Sequence, residues 1–219
     1  MLRYERDKRL LAMGYAALAG AVDAIGFLKS GGLFVSFMTG NSTRLAVGLA
    51  ETAPVGAAAA ALIALFVTGV ILSVVISESV IARYRKVTAT LVVATVLIAA
   101  AAADSFGSDR LAIACLCIAM GAANAIFRRD GEVSIGVTYM TGTLVKLGHR
   151  LADALRGSHE ASWLPYLLLW LSLVAGGITG ALGFVLAANA SLWGTAIASM
   201  SLVIATWWVT REREPPGIS

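Results

Sequence analysis

Six stretches of this 219-residue chain are long, apolar and almost free of charge, and they limit its fold more than any other feature does. They cover residues 10–28, 55–82, 87–103, 111–127, 163–188 and 191–209. A helix of about 20 apolar residues is long enough to cross the hydrocarbon core of a bilayer. Hydrophobic residues make up 58% of the chain, against roughly 45–50% in soluble domains, so a soluble fold would leave much apolar surface in water. The sequence predicts a single all-α membrane domain over residues 1–219, with six transmembrane helices.

Two further segments, 33–49 and 133–155, are only half apolar, and they either span the bilayer or enter it and return. Lys and Arg near helix ends gather on the cytoplasmic side. If both segments return, only Lys29, Arg44 and Arg110 of the 17 Lys and Arg residues face outward. If both segments span, the basic run 83–86 faces outward instead. We therefore predict a bacterial inner-membrane protein with both termini in the cytoplasm, in which these two segments are re-entrant, broken or shallow and enter from opposite faces.

Two motifs occur twice in the chain. GAVDAI at 20–25 matches GAANAI at 121–126, and FMTGNSTRL at 37–45 matches YMTGTLVKL at 139–147. The common order and spacing predict a duplication, with repeat one at about 10–104 and repeat two at about 110–209. Three spans in each half place the second copy upside down relative to the first, so the repeats are inverted. Secondary transporters often have this architecture, with their sites near the bilayer midplane where broken helices meet.

Each copy of the second motif contains a Thr-Gly pair, which we call the TG motif, followed by a polar residue and a helix-like run. The residues are Thr39, Gly40 and Asn41 in the first copy, and Thr141, Gly142 and Thr143 in the second. We expect each glycine to permit a sharp turn, with Asn41, Ser42 or Thr143 as an N-cap. A helix that begins inside the bilayer presents free N–H groups and positive dipole charge to an anion. Arg44 and Lys146, one turn further on, can add charge. The alternative is that Thr and Gly simply allow close helix packing.

Asp23 is the sharpest single residue, because an ionisable group well inside a span is costly and usually faces a cavity. It is a candidate for proton or cation coupling. The alternatives are a structural pairing with Arg44 or a hydrated position near the outer interface. Asn124 occupies the equivalent place in the second copy. The predicted substrate-binding residues are Asp23, Thr39, Gly40, Asn41, Arg44, Asn124, Thr141, Gly142, Thr143 and Lys146.

Several function classes receive no support. No Walker loop, nucleophile elbow or His-Glu zinc helix occurs, so we do not expect an enzyme, a cofactor or a metal site. The formal charge of +4 reflects basic helix ends, so we expect no nucleic-acid partner.

Small residues at Gly69 and Ser73, and at Gly176 and Gly180, have the spacing of close helix packing.

The blocks GAVDAIGFL, FVSFMTGNSTRL, GAANAIFRR and YMTGTLVKL resemble the YoaK family of bacterial membrane proteins, a domain of unknown function. The resemblance covers nearly the whole chain and implies an inner-membrane protein of about six spans. It implies no substrate.

Two hypotheses about function follow. The first is a small-solute secondary transporter or channel, with an anionic substrate favoured, in which both TG motifs line the site. The second is a non-transporting membrane scaffold or sensor partner, in which the TG motifs are packing devices and no cavity separates the halves. The expected partners are the lipid bilayer and an unknown small solute, and the Gly-rich face 176–183 is a candidate homodimer interface.

Overall fold

The computed structural model describes residues 6–129, 132–133, 136–157 and 162–211, and these are almost entirely helical. The helices are α1 Arg6–Lys29, α2 Met38–Glu51, α3 Ala53–Glu78, α4 Arg85–Ser105, α5 Asp109–Ala123, α6 Met140–Leu155 and α7 Leu164–Arg211, with a 3-10 turn at Ala82–Tyr84. Two short antiparallel strands, β1 Arg128–Arg129 and β2 Glu132–Val133, follow α5. Two residues counted in the predicted cytoplasmic charge, Arg3 and Arg213, lie outside the described residues. Residues 134–135, near the start of the predicted segment 133–155, also lie outside them.

Local sequence explains where several helices begin and end. Gly31 (φ 71°) and Gly32 (φ 108°) follow α1, and Gly107 (φ 75°) separates α4 from α5. These left-handed conformations are readily available only to glycine, so the chain reverses there. Pro54 occupies the first turn of α3, where the missing N–H costs no hydrogen bond.

Four helical segments among the described residues are long and apolar enough to cross a membrane. They are Arg6–Lys29, Ala53–Glu78, Ala82–Ser105 and Leu164–Arg211. The predicted all-α membrane fold is confirmed in this respect. The predicted spans 163–188 and 191–209 form one 48-residue helix, interrupted by non-helical backbone at Ala187 (φ −157°, ψ 75°). The predicted span 111–127 is shorter than expected, because α5 ends at Ala123 after 15 residues.

Helix α1 packs along α7 and touches α5, while α5 packs between α3 and α4. Buried side chains such as Tyr15, Val22, Leu97, Leu116 and Met120 fill the space between these helices. Large apolar residues also cover the outer surface, where Leu186 is 82% and Val185 is 74% exposed. Such a surface is stable when lipid surrounds it.

The crossing of α1 and α7 is so close that only glycine fits at its contact points. A Cβ on Gly20 of α1 would overlap the carbonyl of Leu173, and a Cβ on Gly176 of α7 would overlap that of Ala17. The predicted packing role of Gly176 and Gly180 is confirmed, because Gly180 likewise meets Ala21. Both glycines are buried against α1 of the same chain. The candidate homodimer face 176–183 is therefore partly occupied within the protein.

The same crossing occurs again between α5 and α3. A Cβ on Gly121 would overlap the carbonyl of Phe66, and a Cβ on Gly69 would overlap that of Ile118. Gly121 and Ile118 follow Gly20 and Ala17 by 101 positions, while Gly176 and Leu173 follow Gly69 and Phe66 by 107. The first helix of each half thus packs against the third helical segment of the other half, through glycines at matching positions.

Candidate functional site

Both TG motifs contribute to the lining of one cavity of about 590 Å³, which we call the TG cavity. Its lining residues are Ser36, Phe37, Met38 and Thr39, then Gly136, Thr138, Tyr139, Met140, Thr141, Gly142, Thr143 and Lys146, with Ile63, Phe66 and Val67 from α3 and Tyr166 and Leu169 from α7. Four lining residues of the first copy have counterparts 102 positions later: Ser36 with Thr138, Phe37 with Tyr139, Met38 with Met140, and Thr39 with Thr141. The cavity therefore lies between equivalent parts of the two halves.

Two helices begin at this cavity. Helix α2 starts at Met38 after Phe37, and α6 starts at Met140 after Tyr139. Neither start has a side-chain cap hydrogen bond. The first N–H groups of a helix have no partner within the helix, and they carry the positive end of the helix dipole. Both helix starts therefore favour negative charge in the cavity.

The predicted glycine turns and N-caps are wrong. Gly40 and Gly142 are the third residues of their helices, and Asn41 and Thr143 are the fourth. Asn41 is fully buried, and its side chain pairs with the backbone of Phe34, accepting from the N–H (3.0 Å) and donating to the carbonyl (2.6 Å). Because the backbone N–H and carbonyl of Phe34 satisfy both ends of the amide, the Asn41 side chain does not cap the start of α2.

The two TG glycines have different surroundings. A Cβ on Gly40 would overlap the ring of Phe37, so a larger residue there would displace that ring. A Cβ on Gly142 would have no neighbour within 4 Å. Gly142 lines the TG cavity and Gly40 does not.

The two predicted basic residues, Arg44 and Lys146, lie in different places relative to the TG cavity. Lys146 is an exposed residue of the TG cavity. Arg44 is not a lining residue, and its guanidinium group lies beside Gly32 in the loop after α1. Of this predicted pair, only the second repeat contributes a positive side chain to the cavity.

Asp23 lies outside the TG cavity and fixes the loop that leads to it. Its Oδ1 accepts hydrogen bonds from the backbone N–H groups of Val35 (2.9 Å) and Ser36 (2.8 Å). It makes no ion pair with Arg44, so the predicted alternative of a structural pairing with that residue is wrong. The Asp23 side chain instead lines a smaller cavity of about 330 Å³ between α1 and α7. Asp23 therefore acts on the TG cavity through the position of Ser36.

Asn124 has a matching role in the second half. Its Oδ1 accepts a hydrogen bond from the hydroxyl of Thr138 (3.0 Å), and its Nδ2 donates to the carbonyl of Met120 (2.9 Å). Thr138 corresponds to Ser36 in the repeat and also lines the TG cavity. Each half thus ties the residue two positions before its TG helix to the equivalent residue of the first motif, which lies within α1 for Asp23 and directly after α5 for Asn124.

Comparison with known proteins identifies the family of this chain. A family profile described as "Protein of unknown function (DUF1275)" matches residues 11–206. The chain belongs to this family. A UPF0700 transmembrane protein of Rhizobium meliloti (strain 1021) is 34% identical over 207 residues, which cover 92% of this chain and 87% of the relative. No solved structure matches the chain. The resemblance to the YoaK family is confirmed, and this DUF1275 protein is a multi-pass membrane protein.

Sequence reasoning missed the apolar part of the site in this DUF1275 protein. Phe37 and Tyr139 line the cavity just before the TG helices, and Phe66 and Tyr166 line it from α3 and α7. Phe37 and Tyr139 belong to the repeated motif, so the repeat contained a signal for them. Phe66 and Tyr166 carry no such signal, because only the folded chain brings α3 and α7 to the motif.

Proposed function

We propose that this DUF1275 protein is a secondary transporter or channel that moves a small anion, favoured to be a carboxylate, through the TG cavity. The observation that carries the proposal is the convergence of two uncapped helix starts and Lys146 on one cavity between the halves. Three sources of positive potential at one place favour an anion over a neutral or cationic solute. We further propose that its role is not enzymatic.

The cavity offers different surfaces to the two ends of such a solute. The hydroxyls of Thr39 and Thr141, with Lys146, can hold an anionic head by hydrogen bonds and charge. Ile63, Phe66, Val67 and Leu169 form an apolar wall for an organic body. Ligand sites generally combine an apolar lining with a few well-placed polar groups.

We propose an inner-membrane topology of six crossings, with both termini in the cytoplasm. The crossings are α1, α3, α4 with its preceding 3-10 turn, α5, and the parts of α7 on either side of Ala187. A straight helix of the length of α7 would measure about 72 Å, whereas the hydrocarbon core is about 30 Å thick, which supports two crossings that separate at Ala187. Helices α2 and α6 are then the re-entrant segments.

We propose that the halves are inverted repeats. The reciprocal glycine crossings support this, since Gly20 meets α7 in the same way as Gly121 meets α3. An odd number of crossings in each half turns the second copy upside down. In this arrangement the two TG helices enter from opposite faces and meet at the TG cavity.

The first test is a thermal-shift screen of the detergent-solubilised protein against small carboxylates, inorganic anions and amino acids. A ligand that binds only the folded state adds RT ln(1 + [L]/Kd) to its stability, about 2.7 kcal/mol at 100 times Kd. We expect an anion to raise the apparent Tm of the wild type, and the shift to shrink in Thr141→Val and Lys146→Gln.

Arg150→Gln is the matched control, because Arg150 lies one turn after Lys146 on α6 and is not a lining residue. The shift should survive in this variant. If a ligand raises the apparent Tm of Lys146→Gln as much as that of the wild type, it binds outside the TG cavity. The proposal then fails for that ligand. Flux of a confirmed ligand into proteoliposomes then separates a transporter from a scaffold, because a scaffold binds without transport.

The scaffold hypothesis retains one supporting observation. Asp23 in α1 and Asn124 directly after α5 hold backbone or neighbouring side chains. We propose that both are positioning residues for the TG cavity. In that case Asp23→Asn keeps most of the anion-dependent shift and also keeps transport, whereas a coupling role for Asp23 predicts that the shift remains and coupled transport is lost.

A further inference from the structure

A second cavity, also of about 590 Å³, lies at the N-terminal end of α1. It shares no lining residue with the TG cavity. We call it the basic cavity, because Lys8, Arg83, Lys86 and Arg211 line it. They come from the start of α1, the 3-10 turn, the start of α4 and the end of α7. None of its described lining residues is Asp or Glu. Four cations from three separated parts of the chain thus converge on one concave surface.

Aromatic rings hold two of these cations in place. The guanidinium of Arg83 lies 4.3 Å from the ring centre of Tyr84, and that of Arg211 lies 4.9 Å from the ring centre of Trp207. Both rings line the basic cavity. A stacked guanidinium keeps its N–H donors in a fixed plane, which suits the oxygens of a phosphate.

The other two cations of the basic cavity are Lys8 and Lys86. The charges of Lys8 and Lys86 repel, and Lys86 is only partly exposed. A bound anion would relieve this repulsion, because it supplies opposite charge between them. The start of α4 at Arg85 adds positive dipole charge at the same place.

The surroundings favour a lipid as the source of the anion. The basic cavity lies at the ends of three candidate membrane helices, and large apolar residues beside it face outward: Leu10 is 58%, Ile81 is 71% and Trp208 is 57% exposed. Tyr and Trp concentrate at the depth of lipid headgroups. A phospholipid satisfies both surfaces, with its phosphate in the cavity and its acyl chains along the apolar exterior.

We propose that the basic cavity binds the phosphodiester headgroup of an anionic glycerophospholipid, such as phosphatidylglycerol. The site is independent of transport through the TG cavity. Basic groups near a membrane surface each add to the attraction of anionic lipid, so the four together select phosphatidylglycerol over zwitterionic phosphatidylcholine. Occupancy ties α1, α4 and α7 together at this end of the bundle.

The test is native mass spectrometry of the detergent-solubilised protein with added phosphatidylglycerol or phosphatidylcholine. We expect wild type to retain phosphatidylglycerol and to retain phosphatidylcholine much less. Lys86→Gln with Arg211→Gln should bind phosphatidylglycerol at least about tenfold more weakly. Arg150→Gln with Arg156→Gln, a control in α6 and directly after it with the same loss of charge, should bind it as wild type does. Equal retention of the two lipids, or equal loss in both double variants, overturns the proposal.

Two further comparisons distinguish loss of the site from loss of folding, and a lipid from a soluble anion. Arg211 is exposed at the end of α7, so Arg211→Gln alone should fold and still weaken binding, and Arg211→Lys should restore part of it. Inorganic phosphate is the soluble comparison. If phosphate raises the apparent Tm as much as phosphatidylglycerol does at equal concentration, the cavity binds a soluble anion and the lipid proposal is wrong.

Discussion

The two TG helices share a sequence motif and a starting position, but the rest of the molecule holds them differently. Helix α2 lies directly on α3, where a Cβ on Gly48 would overlap the backbone of Gly56. It also buries Asn41 completely. Helix α6 buries only Thr143, and a Cβ on Gly148 would have no neighbour within 4 Å. Both helices are exposed along their outer sides, but α2 packs closely along α3, while α6 has a smaller contact with α7.

This difference suggests unequal roles for two related segments. Elements with few buried contacts open at lower free energy than packed ones. Helix α2 is then the fixed wall of the TG cavity, and α6, which carries Lys146, is the side with more freedom to move. Two copies of one motif therefore need not have the same mobility or role.

The largest effect is expected from the residue that anchors the first copy. Asp23→Ala leaves the N–H groups of Val35 and Ser36 without their acceptor, and each unsatisfied buried group costs about 1–3 kcal/mol. Asn124→Ala removes a hydrogen bond to one hydroxyl, which costs about 1 kcal/mol. Apparent Tm in detergent should therefore fall further for Asp23→Ala. Asp23→Asn keeps an acceptor and should lie between the wild type and Asp23→Ala. Equal losses at positions 23 and 124 would remove the asymmetry between the anchors.

The second effect tests the packing of the TG helices themselves. Gly48→Ala forces a methyl group against the backbone of Gly56 and should destabilise the protein by about 1–3 kcal/mol. Gly148→Ala places a methyl group in open space and should stabilise α6 by about 0.5–1 kcal/mol, because alanine favours helix over glycine. The two changes should move the apparent Tm in opposite directions. A fall in both variants would mean that α6 is packed in solution, for example against a second copy of the chain.

The smallest effect concerns motion in the unmodified protein. Amide hydrogen exchange should be faster in the middle of α6 than in the middle of α2, by about tenfold or more, because α6 has fewer buried contacts to lose on opening. Mass spectrometry of peptides from the two helices measures this directly. An anion that binds the TG cavity should slow exchange mainly in α6. Equal exchange in the two helices without ligand would contradict the proposed division into a fixed wall and a mobile side.

The contrast also separates what the TG motif specifies from what its surroundings specify. Motif comparison predicted that Asn41 and Thr143 share a role as helix caps, yet Asn41 pairs with Phe34, while the Thr143 hydroxyl donates to the carbonyl of Tyr139, the residue before α6. The same reasoning grouped Arg44 with Lys146, although only Lys146 reaches the cavity. Equivalent positions in a repeat share a backbone location, but their side-chain partners depend on neighbours that the repeat does not conserve.

The sequence by itself determined the class of protein, most helical segments and the pairing of the TG motifs. Apolarity over about 20 residues is a local property, and so are the glycine and proline signals that end helices. Only the tertiary structure decided that Ser36 and Thr138 face one cavity, that Asp23 holds a peptide backbone, and that Lys8, Lys86 and Arg211 meet at another cavity. These arrangements join residues far apart in the chain, and their geometry follows from how closely α1, α3, α5 and α7 can approach at their glycines.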